Sequence, residues 1–208
     1  GIKAGTIRTY GKEIPFYHLA SIGQSNYLRG FGYQGGAGRG GVSEHVAELG
    51  YGAEFKEKIL EPGKWRMSLG GFGECLPYHD NKMTLDYEKL DQWGLPTITF
   101  DAEWKENEYA MRKDMIAQAR DMLKKAGFKN INTFDNVKAP GIGIHEMGTA
   151  RMGRDPKTSV LNKWNQIHAC KNVFVTDGAF MASSACHNPS LGYMAFSARA
   201  ANYAADQI

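Results

Sequence analysis

The sequence predicts an α+β chain, and three features carry that reading. Short runs of alternating apolar and polar side chains, broken by Gly and Pro, fill the front of the chain and read as strands. Met111, Met115, Ala119 and Met122 then recur at helical spacing, with Ile116 and Leu123 widening the stripe, over residues 108–126. A closing Ala-rich stretch after Asn188-Pro189 returns to the helical period, with Leu191, Met194, Ala195, Ala198 and Ala201 on one narrow face.

Taken in order, strands are expected within residues 5–33, at 6–10 and 27–29 among others. Glycine dominates 33–41, which reads as a loop, followed by a short helix over 43–49 that puts Val42, Val46 and Leu49 on one side. A strand over 64–69 ends at Gly70-Gly71-Phe72-Gly73. Two more, 82–87 and 97–102, flank the turn-rich Asp91-Gln92-Trp93-Gly94-Leu95-Pro96. The helix over 108–126 carries Lys124 and Lys125 at the negative end of its dipole and Gly127 as a C-terminal cap, and its Met face is core. From Pro140 come a Gly-rich loop, a polar connection, a strand over 172–176 and the last helix, for which Asn188 suits the cap and Pro189 the first helical position.

With 208 residues the chain is long enough to bury a core, and 42% hydrophobic against 23% charged residues is too apolar for disorder. Lys and Arg number 25 against 22 Asp and Glu, a net charge of +3 that does not support phosphate-backbone binding, so no nucleic-acid partner is expected. Cys75, Cys170 and Cys186 are odd in number and widely spaced, which builds neither a disulfide framework nor a paired-thiol zinc site. No apolar run reaches membrane-spanning length, and the N-terminus has no signal-peptide pattern. Because the chain opens on Gly1, a preceding portion removed by processing or by design is expected, and cytoplasmic and periplasmic settings both stay open.

Gly36-Ala37-Gly38-Arg39-Gly40-Gly41 has the spacing of a dinucleotide fingerprint, but the helix expected behind it is short and runs into Gly50-Tyr51-Gly52, so the tract reads as a loop. His145-Glu146-Met147-Gly148-Thr149 begins like a zinc-protease motif and departs from it at Thr149, where the second imidazole would stand; no metal is expected. The longer string "GIGIHEMGTARMG" over 141–153 resembles the histidine-bearing motif of the glucose-methanol-choline (GMC) oxidoreductase family. A second block, "NVFVTDGAFMASSACHNPSLGYMAFSARAANYAADQI" over 172–208, is similar to that family's C-terminal region. A fainter likeness runs through Cys75-Leu76-Pro77, Asn81-Lys82-Met83-Thr84-Leu85-Asp86 and Trp93-Gly94-Leu95-Pro96.

The resemblance implies the C-terminal part of an FAD-dependent enzyme that oxidises an alcohol group, with a sugar or sugar acid favoured as substrate. It implies a substrate domain over 1–139 and a catalytic segment over 140–208 that completes an FAD-binding domain, whose N-terminal part is then the chain's partner. His145 matches the catalytic histidine and would take the hydroxyl proton. Asn188 matches the second active-site position, where an amide stabilises the alkoxide. His187 is ranked as a supporting residue, and Cys186 beside it lacks the geometry of a thiol nucleophile. Asp177, Gly178 and Ala179 match the segment that approaches the flavin pyrophosphate and ribityl chain, although Asp177 equally suits a turn cap. Asn188, Pro189 and Ser190, at the start of the last helix, would face the reduced flavin near N1. The rival reading is a non-catalytic carbohydrate-binding or interaction module using Trp65, Phe72, Tyr78 and Trp93.

Overall fold

Helices and strands both form in the computed structural model, which describes residues 14–19, 26–39, 51–60 and 63–207, so the α+β content predicted from the periodicities stands. The described residues fall into two compact units. One takes in β1 (Ile14–Leu19), α1 (Ala53–Leu60), and all of β2 (Phe31–Arg39) and β3 (Trp65–Gly73) but their ends at Phe31 and Gly73. The other takes in residues 26–31 and everything from Gly73 onward, so residues 140–207 lie wholly within it.

In the first unit the strands order as β1-β2-β3. Here the glycine-rich tract departs from expectation: it is strand as far as Arg39, not loop. The reason lies at Gly35, where a Cβ would stand 2.1 Å from the backbone oxygen of Ser68, so only glycine lets β2 approach β3 this closely. β3 likewise runs on through Gly70-Gly71-Phe72-Gly73 rather than stopping before it. Residues 27–29 are not strand, and the predicted elements at 6–10 and 43–49 lie outside the described residues. α1 was not anticipated; it follows Gly52 at φ +88° and carries Glu54 at the positive end of its dipole.

The second unit opens its sheet with a hairpin of β4 (Lys82–Leu90) and β5 (Pro96–Asp101), antiparallel in the register Met83↔Phe100, Thr84↔Thr99 and Leu85↔Ile98. Alternation gives it a polar face of Thr84, Thr99, Asp86 and Thr97 and an apolar face of Met83, Phe100, Leu85 and Ile98. The apolar face is exposed, from 43% at Met83 to 72% at Phe100. Asp91 closes the turn by accepting from Trp93 N at 2.8 Å and Leu95 N at 2.9 Å, with Gly94 at φ +80°.

α2 (Glu106–Lys125) matches the predicted helix within two residues at its start. Met111 and Met115 are buried on the expected face, with Met111 against Gly73. Gly127 does cap the helix: at φ +86° it donates to Lys124 O while Phe128 donates to Leu123 O, a Schellman arrangement that satisfies the last carbonyls. Towards the C-terminus, β6 (Gln166–Ile167) pairs antiparallel with β7 (Cys170–Phe174), and α3 (Ser190–Ala205) closes the chain. No described helix is long and apolar enough to cross a membrane.

Candidate active site

His145 stands on the loop between α2 and β6, in a turn that Gly143 N closes by donating to Glu146 Oε1 at 2.6 Å. Ile144, immediately before it, holds φ +59°, a conformation that β-branched residues avoid, and Gly148, just after, sits at φ +90°. Past the turn the chain lays its backbone along the short 3-10 turn Gly178–Phe180: Ala150 N donates to Ala179 O at 3.0 Å and Met152 N to Phe180 O at 2.9 Å. The histidine loop and the Asp177-Gly178-Ala179 segment are therefore joined.

Both segments also rest on α3. Tyr193 Oη donates to Met147 Sδ at 3.6 Å, and the junction depends on Gly178, where a Cβ would stand 2.7 Å from each of those two atoms. Phe180, only 1% exposed, packs at ring-centroid distances of 4.9 Å on Phe196 and 6.3 Å on Tyr193. Further along the helix, Tyr203 stacks on Trp164 at 4.7 Å. Burial, and then the negative charge of Asp177, pushes the Tyr193 phenol upward, so it stays a hydrogen-bond donor.

Asp177 caps the 3-10 turn by accepting from Ala179 N at 2.8 Å, as its turn-cap reading anticipated. Asn188 does not cap α3. Pro189 takes that position instead, buried at φ −87°, and its carbonyl accepts from Tyr193 N at 3.0 Å. The Asn188 amide is thereby left exposed and uncommitted to the helix end. Among the described residues no hydrogen bond joins His145 to Asn188, so the structure ties together the segments that carry them but not the two side chains. Cys186 is buried with Sγ 3.5 Å from His187 Nδ1, and its thiol is pushed up, above all by burial, which makes it a poor nucleophile.

The start of α3 is open ground. Ser190 and Leu191 are exposed, and a Cβ on Gly192 would meet no atom within 4 Å. The first N–H groups of a helix have no intrahelical acceptor and carry a partial positive charge, so this turn fits the edge of an electron-rich ring or an anion.

A family profile described as GMC oxidoreductase matches residues 77–197, more than half of the chain. The chain belongs to the GMC oxidoreductase family. It is 31% identical, over 90% of its length, to a 2-methyl-1,2-propanediol dehydrogenase of Mycolicibacterium austroafricanum. It is 30% identical, over 73% of its length, to a fructose dehydrogenase large subunit of Gluconobacter japonicus. A 6'''-hydroxyparomomycin C oxidase of Streptomyces lividus is also 30% identical over 64% of the chain. The chain spans 34%, 27% and 24% of those relatives' own lengths. As a GMC oxidoreductase, it joins relatives named for the oxidation of alcohols and sugars, among them a gluconate 2-dehydrogenase flavoprotein of Pantoea cypripedii.

Some residues that hold this region were not reached from the sequence. Met147 and Tyr193 lie within the family blocks, yet their contact depends on the glycine at 178, which spacing does not report. Glu74 bonds to Ser183 across the unit, and a single carboxylate beside a glycine-rich strand leaves no periodic trace.

Proposed function

We propose that this chain is the substrate-facing, C-terminal part of an FAD-dependent enzyme that oxidises an alcohol group of a sugar, sugar acid or polyol. Residues 1–139 form the substrate domain and 140–208 complete an FAD domain whose N-terminal part belongs to the longer protein. The observation that carries the reading is the joining of the His145 loop, the 177–180 turn and the first turn of α3 by Ala150, Met152 and Tyr193. Relatives named for fructose, gluconate and a propanediol support a hydroxylated substrate.

FAD, when bound, supplies the two-electron acceptor. On this chain Asp177, Gly178 and Ala179 would hold its pyrophosphate and ribityl side, and Asn188, Pro189 and Ser190 its ring edge. His145 takes the proton from the substrate hydroxyl as the C–H bond breaks. Asn188, free of any capping duty, donates its amide N–H to the alkoxide oxygen and so orients the reacting carbon.

The test is flavin reduction in the full-length flavoprotein, followed by stopped flow at saturating substrate. His145→Ala is expected to slow reduction roughly a hundredfold or more with flavin content retained. Asn188→Ala is expected to cost on the order of 3 kcal/mol of barrier. Wild-type reduction rates in His145→Ala would remove the base from the mechanism.

A further inference from the structure

Glu74 lies one residue past β3, where its backbone N–H donates to Gly30 O at 3.1 Å. Its carboxylate accepts a hydrogen bond from the Ser183 hydroxyl, 109 residues away in the chain, and stands 3.7 Å from Arg29 Nε. The side chain is only 15% exposed, whereas that of Arg29 is 53% exposed. Arg29 itself is held at φ +73°. One mostly buried carboxylate thus reaches both residues 29–30 and the connection from the 3-10 turn to α3.

That connection runs over 181–189. Ala185 stands at φ +56°, Ser184 bonds to the carbonyl of its neighbour Ala185, and His187 and Asn188 are exposed. Its inward anchor is Cys186, 7% exposed. The Glu74 charge also adds to the upward push of burial on that thiol, so the carboxylate bonds the loop at Ser183 and lies within electrostatic range of Cys186.

We infer that Glu74 is a positioning residue that clamps the loop 181–189 to residues 29–30 and so holds Asn188 at the site. The placement of Asn188 rests on the function proposed above; the clamp itself does not. A mostly buried carboxylate that accepts from a hydroxyl makes a charge-assisted bond, stronger than a neutral one, and removing it takes away that acceptor and the ion pair to Arg29. The loop then opens locally while the helices stay folded.

The experiment uses the full-length protein with Glu74→Ala, Glu74→Gln, Ser183→Ala and the Glu74→Ala/Ser183→Ala double variant. Iodoacetamide labelling of Cys186 is followed by peptide mass spectrometry against the exposed Cys170 as internal reference. Both Glu74 variants lose the charge that raises the Cys186 thiol, but the Gln amide oxygen still accepts from Ser183, so the difference between them reads the hydrogen bond alone. Glu74→Ala is expected to label Cys186 about tenfold faster than Glu74→Gln, Ser183→Ala about tenfold faster than wild type, and the double variant no faster than Glu74→Ala.

In the same set, flavin reduction at saturating substrate should fall about tenfold in Glu74→Ala with KM changed little, and recover in Glu74→Gln. Equal Cys186 labelling in Glu74→Ala and Glu74→Gln overturns the clamp, as does simple additivity of the two single variants. Should Glu74→Ala fail to fold, Ser183→Ala against wild type decides by the same labelling ratio. A wild-type protein that no alcohol reduces sinks the proposed function and leaves the labelling result on the clamp intact.

Discussion

Glu108 ties the approach to α2 onto the helix with a single carboxylate. Only 5% exposed, it accepts from Leu76 N at 3.1 Å, Tyr78 Oη at 3.3 Å and Asn107 Nδ2 at 3.2 Å on one oxygen, and from Lys105 N at 3.1 Å on the other. Burial, and then this charge, pushes the Cys75 thiol up to about 11, and burial with the Glu108 bond pushes the Tyr78 phenol up to about 12. Both values lie above those of the unfolded chain, so the neutral groups favour the fold fully below about pH 9 and lose that contribution as pH rises through 11 and 12. Thermal unfolding is expected to hold level from pH 7 to 9 and then drop by roughly 5 °C or more up to pH 12, with a smaller drop in Tyr78→Phe. An equal drop in that variant would assign the alkaline sensitivity elsewhere. None of this was legible in the sequence: the periodicity marked Met111 and Met115 correctly, but Lys105 at the cap disguises a box that Glu108 closes from inside. His145 and Asn188, by contrast, are proposed as site residues only because whole motif blocks stand around them.

At the scale of elements, periodicity read α2 and the β4 and β5 strands well, since repeated side-chain spacing is what packing demands of them. It failed on β2, because glycine carries no side chain to alternate and its usual meaning is a turn. The structure supplies the missing reason in the approach of Ser68 O to Gly35, and it separates two glycines of one strand. Gly35→Ala places a methyl group against backbone that has nowhere to go and is expected to cost roughly 3 kcal/mol in urea unfolding. Gly38→Ala meets no atom within 4 Å. It is expected to change stability by no more than about 0.5 kcal/mol, or to raise it slightly by restricting the unfolded chain. Equal effects at the two positions would contradict the close strand approach. α1 and β6 escaped for a different reason: eight and two residues are too short for a period to emerge.

For the molecule as a whole, the deciding fact is that the chain spans about a third or less of the relatives it matches. Its segments offer an open helix start and a capped turn, but tight FAD binding needs an enclosed pyrophosphate and adenosine. The 208-residue chain alone is therefore expected to bind FAD with a Kd no tighter than about 10 μM by flavin fluorescence titration, against full retention of flavin in the longer protein. Nanomolar binding by the isolated chain would overturn the reading of it as part of a site. The β4–β5 hairpin bears on how such a chain behaves in the cell. Among the described residues its strands pair only with each other, and one face presents Met83, Leu85, Ile98 and Phe100 to water. Until that face is covered, two open edges and an apolar strip invite strand addition from neighbouring copies, so synthesis becomes a race between burial and aggregation. Slower translation, lower temperature or a holdase chaperone should then raise soluble yield, and a Lys in place of Ile98 should do so without any of them.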